Sequence, residues 1–352
     1  MAMSRLVQPL PWLKPQHLRP GDTVAVVAPS GPVPRRTLAR GVAELERMGL
    51  SVRLGANVLA RHGRLAYLAG DDVGRGLDLL ALWANPSVRA IFAARGGYGS
   101  ARLADALTPS FLRRHPKIFC GFSDLTSVHA ACARARLVSF YGPMVAWDLA
   151  HGAARAPGAR AAKALASAAG RNRSGGYDAA SFAALLFGDG KVGARAPGAA
   201  GARSLVLAPP GCETLVPGRA SGRLAGGCLS LLVADLGTGT APETRGTILV
   251  LEDELEPPYR VDRMLTQLRR SGLLGGVRGI VLGDFPECHP PAEAGYTLRD
   301  VFQDRLGDLG VPVLYRFPCG HTARPNVTLP LGARVTLDAT RRRLTIDENV
   351  TR

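Results

Sequence analysis

Residues 23–28 of this 352-residue chain have the sequence TVAVVA, an uninterrupted apolar run that predicts a strand buried on both faces of a sheet. Outward from it, short apolar runs alternate with segments of helical periodicity up to about residue 145. The predicted strands are 23–28, 51–54, 90–93 and 118–120, and the predicted helices are 36–48, 73–83 and one ending near 134. This alternation is typical of a parallel sheet with crossover helices. We therefore predict an open α/β domain, flavodoxin-like or Rossmann-like, over residues 1–150.

The composition changes to alanine, glycine, arginine and proline over residues 151–203, which predicts a linker containing one short helix at 179–187. A second domain with a mixed α/β pattern is expected over residues 204–352. Its predicted elements are helices at 228–236, 259–270 and 298–309, strands at 247–252, 279–282 and 313–316, a loop at 319–330 and a hairpin at 333–346.

The net charge of +16 raises the question of nucleic-acid binding. Arginines supply 40 of the 44 basic residues and are scattered along the chain, and aromatic residues make up 6%, so no stacking platform for bases is evident. We expect no nucleic-acid partner.

No apolar run reaches the ~18 residues of a membrane span, and the first residues lack the pattern of a secretory signal, so we expect a cytoplasmic protein without a membrane partner. The six cysteines form no C-x-x-C pair and are expected to be buried free thiols.

Cofactor motifs are missing from the sequence. The G-x-G-x-x-G pattern fails after Gly97 and Gly99, because Arg102 occupies the position of the third glycine, and there is no G-x-x-x-x-G-K-[ST]. Cys288-His289 and the pair formed by Cys319 and His321 have no second ligand pair at zinc-site spacing. We expect neither a cofactor nor a metal.

A serine follows the predicted strand 118–120 in the sequence GFSDLT (121–126), on a tight turn into a helix. This is the setting of a nucleophile elbow, which exposes a serine hydroxyl and directs the next backbone N–H at a developing oxyanion. Ser123 is therefore a candidate nucleophile. The alternative is that Ser123 only caps the following helix. Leu125 replaces the second glycine of G-x-S-x-G, which weakens an α/β-hydrolase interpretation.

A serine nucleophile needs a base and a group that orients the base. His321 is the favoured base because it lies in a Gly- and Pro-rich loop just after a predicted strand. His129 is the rival, although it lies only six residues from Ser123 on one helix. Glu252, at the carboxyl end of the strand 247–252, is the candidate orienting carboxylate. The alternative is that Glu252 belongs to a solvated acidic loop.

Taken together, the motifs resemble those of the LD-carboxypeptidase family of serine peptidases, the murein tetrapeptide carboxypeptidases, which also includes the microcin C immunity peptidases. The resemblance covers nearly the whole chain except the first twenty residues and much of the linker. It rests on GDTVAVVAPSGPV (21–33), ARGGYGSARL (94–103), GFSDLTSVH (121–129), YGPM (141–144), GRLAGGCLSLL (222–232), ILVLEDELEPPYRVDRMLTQL (248–268), GIVLGDF (279–285) and GHTARPNVTLPLG (320–332).

The resemblance implies a catalytic triad of Ser123, His321 and Glu252, assembled across the cleft between the two domains. In that mechanism His321 takes the proton of Ser123, and Glu252 stabilises the imidazolium without being protonated. The backbone N–H groups of Asp124 and Gly97 are the expected oxyanion hole. The resemblance also implies a homodimer.

The substrate implied by the resemblance is a cytoplasmic murein tetrapeptide, cleaved before its terminal D-alanine during peptidoglycan recycling. Arg95 or Arg324 is expected to bind the free carboxylate of this small anionic peptide. Cys228 departs from the asparagine common in the family. The microcin C immunity branch, which hydrolyses peptidyl or aminoacyl sulfamoyl-adenylates, is the alternative enzyme, with Trp147 and Tyr177 as candidates to stack on the base. A catalytically silent peptide-binding protein and a nucleic-acid binder are the alternatives of other classes.

Overall fold

The computed structural model describes residues 10–153, 174–187 and 204–352. Its strands are β1 (Thr23–Val27), β2 (Ser51–Leu54), β3 (Val88–Ala93), β4 (Ile118–Gly121), β5 (Ser139–Tyr141), β6 (Leu205–Leu207), β7 (Glu213–Val216), β8 (Arg219–Cys228), β9 (Thr247–Glu252), β10 (Gly279–Leu282), β11 (Val313–Tyr315), β12 (Leu329–Leu331), β13 (Arg334–Asp338) and β14 (Arg343–Ile346). Its α-helices are α1 (Arg35–Arg47), α2 (Asp72–Ala84), α3 (Pro109–Arg114), α4 (Thr126–Arg134), α5 (Ala179–Leu186), α6 (Leu229–Ala234), α7 (Pro258–Arg270) and α8 (Leu298–Leu306).

The first sheet has the strand order β2-β1-β3-β4-β5-β12. Its first five strands are parallel, and β12 pairs antiparallel with β5 at the edge. The order 2-1-3-4-5 is that of flavodoxin-like folds, in which ligands bind beyond the carboxyl ends of the strands. The predicted open parallel sheet is confirmed. The strand β12, however, comes from the far end of the chain.

The second sheet has the order β6-β14-β13-β8-β9-β10-β11-β7. The strands β8 to β11 are parallel, whereas β13, β14, β6 and β7 join antiparallel at the two sides. This confirms the predicted mixed α/β character and the terminal hairpin. Residues of the first sheet and of one face of the second sheet form one apolar core. A separate core contains the buried residues of α6, α7 and α8.

The sequence prediction was wrong at several short or polar strands. The predicted helix 228–236 begins one residue later, at Leu229, because residues 219–228 form the ten-residue strand β8, whose arginines and glycines hide its strand character. The predicted loop 319–330 ends in β12, since its Pro330 is tolerated on an edge strand. The strands β5, β6 and β7 were also missed, because three or four residues carry little periodicity.

The predicted linker is described only in part. Its predicted helix is confirmed as α5, where the Asp178 carboxylate accepts the N–H of Ser181 at 2.7 Å. Residues 154–173 and 188–203 lie outside the described residues, so the domain boundaries stay a prediction. All six cysteines are buried and unpaired, as expected. Within the described ranges, every helix is too short or too polar to span a bilayer.

Candidate active site

Ser123 lies directly beyond the carboxyl end of β4, in a short 3₁₀ turn (Ser123–Leu125) that leads into α4. Its backbone φ of +64° is in the left-handed region, which a residue with a side chain adopts only when the surrounding fold imposes it. The side chain is half-buried. A strained strand-to-helix turn of this kind is typical of a nucleophile elbow.

The helix-cap alternative for Ser123 is wrong. Neither the 3₁₀ turn nor α4 receives a side-chain cap from it. The hydroxyl of Thr126 instead donates to the Ser123 carbonyl at 2.7 Å, and the Ser123 N–H donates to the Tyr141 hydroxyl at 3.2 Å. The Ser123 hydroxyl is therefore not used to begin the helix.

Glu252 is the last residue of β9 and is 0% exposed. One carboxylate oxygen accepts the backbone N–H of His321 at 2.9 Å and lies 2.7 Å from His321 Nδ1, and the other accepts the Tyr141 hydroxyl. A buried carboxylate is stable only with such donors around it. The solvated acidic loop proposed as an alternative for Glu252 is therefore wrong.

The electrostatics of this pair favour its charged form. Burial opposes the charge on Glu252, but His321 and the hydrogen bonds from His321 and Tyr141 hold the pKa of Glu252 below its ordinary value. Burial likewise opposes a charged His321, yet Glu252, with a smaller contribution from Glu254, raises the pKa of His321. Burial and the neighbouring Glu252 charge raise the pKa of Tyr141, so its hydroxyl remains a donor.

The loop that follows β11 carries His321 against Glu252. Gly320 precedes the histidine with φ +68°, and a Cβ there would lie 2.4 Å from the Glu252 carboxyl carbon, so only glycine fits. The ring of Phe122, the neighbour of Ser123, meets the His321 ring edge-on at 5.1 Å between centroids. The structure thus brings the elbow, Glu252 and His321 together. Among the described hydrogen bonds, none joins the Ser123 hydroxyl to His321, whose Nε2 lies 3.2 Å from Glu254 Oε1.

The rival histidine, His129, has a structural environment. It is buried, and its ring nitrogens lie 2.8 Å from Ser139 Oγ and 2.9 Å from the Gly121 carbonyl oxygen. Burial lowers the pKa of His129 to about 4. Both nitrogens are thus occupied inside the core, which leaves neither available as a base.

A glycine turn (residues 95–99), which follows β3, lies beside Ser123. A Cβ placed on Gly96 would lie 3.0 Å from Ser123 Cβ, 3.1 Å from its Oγ and 3.6 Å from the Asp124 backbone nitrogen. Gly97 follows with φ +117° and packs against Gly31. The assignment of the oxyanion hole to Gly97 and Asp124 stays a prediction.

The two candidate carboxylate-binding arginines have different surroundings. Arg324 is engaged within the protein: its guanidinium forms a two-pronged ion pair with Asp284, with Nε at 3.0 Å, and donates to the Pro210 carbonyl at 2.7 Å. Arg95 is half-buried beside the glycine turn, and its described hydrogen bond goes to the Pro32 carbonyl at 3.2 Å. Arg95 therefore keeps more donors for a ligand.

Tyr141 is a site residue that the sequence analysis did not single out. Its hydroxyl links the Ser123 backbone to Glu252, which lies 111 residues after Tyr141 in the sequence. The only available signal was its place in the YGPM motif. Gly96, which was quoted only within the motif ARGGYGSARL (94–103), is the second such residue.

The structure also places Cys228, which departs from the family pattern, and the two residues considered as candidates to stack on a base. The N–H of Cys228 donates to the Thr126 hydroxyl at 3.1 Å, so the end of β8 meets the start of α4. Tyr177 is buried and its hydroxyl donates to Glu44 at 2.5 Å, which removes its ring from ligand contact. Trp147 is half-buried against His151.

In the described part of the chain, no cluster of three or more metal-binding side chains occurs.

Comparison with known proteins identifies matching family models and similar sequences. The family model for the LD-carboxypeptidase N-terminal domain matches residues 24–142, and the model for the C-terminal domain matches residues 221–337. A curated protein of Streptomyces coelicolor is 43% identical over 338 residues, covering 95% of this chain and 96% of its own. The murein tetrapeptide carboxypeptidase of Pseudomonas aeruginosa is 32% identical over 323 residues, covering 91% and 94%.

A solved structure of MccF, the microcin C7 self-immunity protein, in complex with glutamyl sulfamoyl guanosine has the same fold. Its TM-score is 0.78 at 24% identity, covering 97% of this chain and all of the other. The two family models together match more than half of the chain and agree with its two sheets. The chain therefore belongs to the LD-carboxypeptidase family.

Proposed function

We propose that the protein is a serine-type carboxypeptidase that removes the terminal D-alanine from a murein tetrapeptide. The observation that carries this proposal is the buried pair of Glu252 and His321, with 2.7 Å between Oε2 and Nδ1, beside the strained turn of Ser123. A buried carboxylate bound to Nδ1 fixes the tautomer that leaves Nε2 free to accept a proton. These groups come from two different sheets.

In the proposed mechanism, His321 Nε2 takes the hydroxyl proton as Ser123 Oγ forms a bond to the scissile carbonyl carbon. The tetrahedral intermediate collapses when the C–N bond breaks and His321 returns that proton to the leaving amine of D-alanine. Water then gives a proton to His321 and attacks the acyl-enzyme, and the Ser123 oxygen recovers the proton when the acid departs. Glu252 remains ionised throughout.

Two further interactions belong to the proposal. The N–H groups of Gly97 and Asp124 stabilise the oxyanion, since the glycine turn adjoins Ser123 Oγ. Arg95 binds the terminal carboxylate, because Arg324 is already paired with Asp284. The name of the Pseudomonas aeruginosa relative supports the murein tetrapeptide as substrate. The net charge of +16 also favours an anionic peptide.

The experiment that tests the proposal is release of D-alanine from L-Ala-γ-D-Glu-meso-diaminopimelate-D-Ala. We expect release by the intact protein that is insensitive to a chelator. In Ser123→Ala, kcat falls by about 10⁴–10⁶-fold, because the nucleophile acts as a unit with its base. Ser87→Ala is the matched control, since Ser87 is exposed and lies at a loop remote from the elbow.

The result that overturns the proposal is absence of D-alanine release from correctly folded protein, or release that persists in Ser123→Ala. In the first case a glutamyl sulfamoyl nucleoside is the next substrate to test, since hydrolysis of that compound is the expectation for the microcin immunity branch. Failure of both substrates favours the silent peptide-binding protein.

The proposal includes a homodimer, as the family resemblance implies, located in the cytoplasm and needing neither a metal nor a cofactor. It also includes the absence of a nucleic-acid partner. Sedimentation equilibrium measures the mass in solution: about twice 37.0 kDa agrees with the dimer, and 37.0 kDa excludes it.

A further inference from the structure

An open cavity of about 590 Å³ lies next to the glycine turn, and none of the proposed catalytic side chains lines it. Three loops contribute its walls: the loop after β1, the loop between β2 and α2, and the turn after β3. The lining residues are Gly31, Pro32, Tyr67, Arg95, Gly97 and Tyr98.

The position of this cavity is the place where the sheet topology favours a ligand. In the order β2-β1-β3-β4-β5, the chain reverses direction across the sheet between β1 and β3. Crevices beyond the carboxyl ends of the strands at such a reversal are the usual ligand sites of open α/β sheets. Gly97 connects the cavity to the nucleophile, because the adjacent Gly96 lies against Ser123.

Two tyrosine rings form one side of the cavity. Tyr67 is 52% exposed and Tyr98 is 49% exposed, and their centroids lie 5.9 Å apart at an interplanar angle of 62°. Half-exposed aromatic rings that meet edge to face leave apolar area that a further ring can cover. Because both rings line one cavity, this open apolar area faces the space that a ligand would occupy.

Arg95 adds a cation to this aromatic wall. Its described hydrogen bond goes to the Pro32 carbonyl, which holds the guanidinium at the cavity while leaving other N–H donors. Because Arg95 and both tyrosines line the same cavity, a terminal residue whose carboxylate binds Arg95 would have its side chain beside the tyrosine rings. The methyl group of D-alanine would leave most of both rings uncovered.

We propose that the cavity of Tyr67, Tyr98 and Arg95 is the leaving-group subsite and that it takes a terminal aromatic D-amino acid in preference to D-alanine. This inference rests on the proposed function and adds a substrate class to it. Arg95 binds the carboxylate, and the aromatic side chain packs on the two tyrosine rings. The bond cleaved and the chemistry of Ser123 are unchanged.

The test compares two peptides, L-Ala-γ-D-Glu-meso-diaminopimelate followed by D-Phe or by D-Ala. We expect kcat/KM for the D-Phe peptide to exceed that for the D-Ala peptide by about tenfold or more, from burial of the extra ring. In the double variant Tyr67→Ala/Tyr98→Ala this ratio falls toward one. Tyr296→Ala is the matched control, because Tyr296 is 44% exposed but precedes α8, outside the cavity, and it should keep the ratio.

A preference for D-Ala in the intact protein overturns the inference, and so does a D-Phe preference that survives in the double variant. Calorimetry of the D-Phe peptide with Ser123→Ala separates this inference from the proposed function. If neither peptide is cleaved but binding weakens in Ser123→Ala/Tyr67→Ala/Tyr98→Ala, the subsite stands and the hydrolysis proposal fails. If binding is equal with and without the tyrosines, the subsite is excluded.

Discussion

His321 Nε2 lies 3.2 Å from Glu254 Oε1, so both ring nitrogens of His321 face a carboxylate. The Nδ1 side faces Glu252, which the proposed mechanism requires. The Nε2 side is the one that must receive the Ser123 proton, and the Glu254 carboxylate competes with the Ser123 hydroxyl for it. Because Glu254 is only half-buried, its side chain is free to exchange this contact for solvent.

The first prediction concerns the pH profile of Glu254→Gln. Glu252, then Glu254 and Asp253, raise the pKa of His321, and the base must be neutral to accept a proton. Activity therefore rises with pH as His321 loses its proton. Removing the Glu254 charge lowers the pKa of His321, so the ascending limb of kcat/KM moves to lower pH by about one unit.

The measurement is kcat/KM for D-alanine release between pH 5 and 10. Glu243→Gln is a suitable control, because Glu243 is exposed in the loop that precedes β9 and does not contact His321. An unchanged limb in Glu254→Gln, or a limb moved to higher pH, contradicts the electrostatic role of Glu254.

The second prediction concerns Tyr141→Phe. The hydroxyl donates to Glu252 and accepts the Ser123 N–H, so its removal leaves the buried Glu252 carboxylate and the Ser123 N–H each short of a partner. We expect the free energy of unfolding to fall by about 1–3 kcal/mol. We also expect kcat to fall more than KM changes, because the orientation of Glu252 and of the elbow depends on this hydroxyl.

Urea unfolding and steady-state kinetics measure the two effects. Tyr315→Phe is the control, since Tyr315 packs on Phe302 in the second core, away from Glu252. If Tyr141→Phe loses stability but keeps wild-type kcat, Tyr141 supports only the fold.

The sequence alone was sufficient for features that depend on local pattern. The run TVAVVA marked β1, and the alternation after it predicted the parallel sheet. Ser123, Glu252 and His321 each had a local signature: a strand-to-helix turn, the end of an apolar strand and a glycine-rich loop after a strand. The structure places all three beside one another, although their catalytic roles stay a proposal.

Features that depend on pairing between distant segments could not be predicted from the sequence. The role of Tyr141 arises because β5 lies between β4 and β12, which brings its hydroxyl to Glu252. The YGPM motif marks Tyr141 as a residue of interest but does not encode that contact. The same is true of Gly96, whose importance comes from how close a Cβ at that position would lie to Ser123. Local periodicity carries no information on such contacts.

The third prediction concerns the Asp124 side chain, which joins the elbow to two neighbouring loops. Its Oδ2 accepts the Ser30 hydroxyl at 2.5 Å and the Ser100 N–H at 2.8 Å, and all three residues are fully buried. Ser30 follows β1, and Ser100 follows the glycine turn. We expect Ser30→Ala to lower the free energy of unfolding by about 1–3 kcal/mol, because the buried Asp124 oxygen loses the Ser30 donor.

A loosened glycine turn should also weaken stabilisation of the oxyanion, so Ser30→Ala is expected to lower kcat and to weaken a transition-state analogue more than the substrate. Inhibition by a peptide boronate, compared with KM, measures this difference. Ser87→Ala, at an exposed serine, is the matched variant. Equal loss of boronate and substrate binding contradicts a role in positioning the turn.

The last prediction uses the close approach of Gly96 to the nucleophile. Gly96 has no positive φ, so alanine is compatible with its backbone, but the added methyl would lie 3.0 Å from Ser123 Cβ and 3.1 Å from its Oγ. That contact displaces the hydroxyl from the path to His321 and to the substrate carbonyl. We expect Gly96→Ala to lower kcat by up to about 10²-fold, the loss that a 1 Å misplacement of reacting groups can cause. Gly63→Ala is the matched control, because a Cβ there would meet nothing within 4 Å. Steady-state kinetics alongside thermal unfolding distinguishes the outcomes: a folded Gly96→Ala with wild-type kcat would show that Ser123 Oγ does not need the space beside the glycine turn.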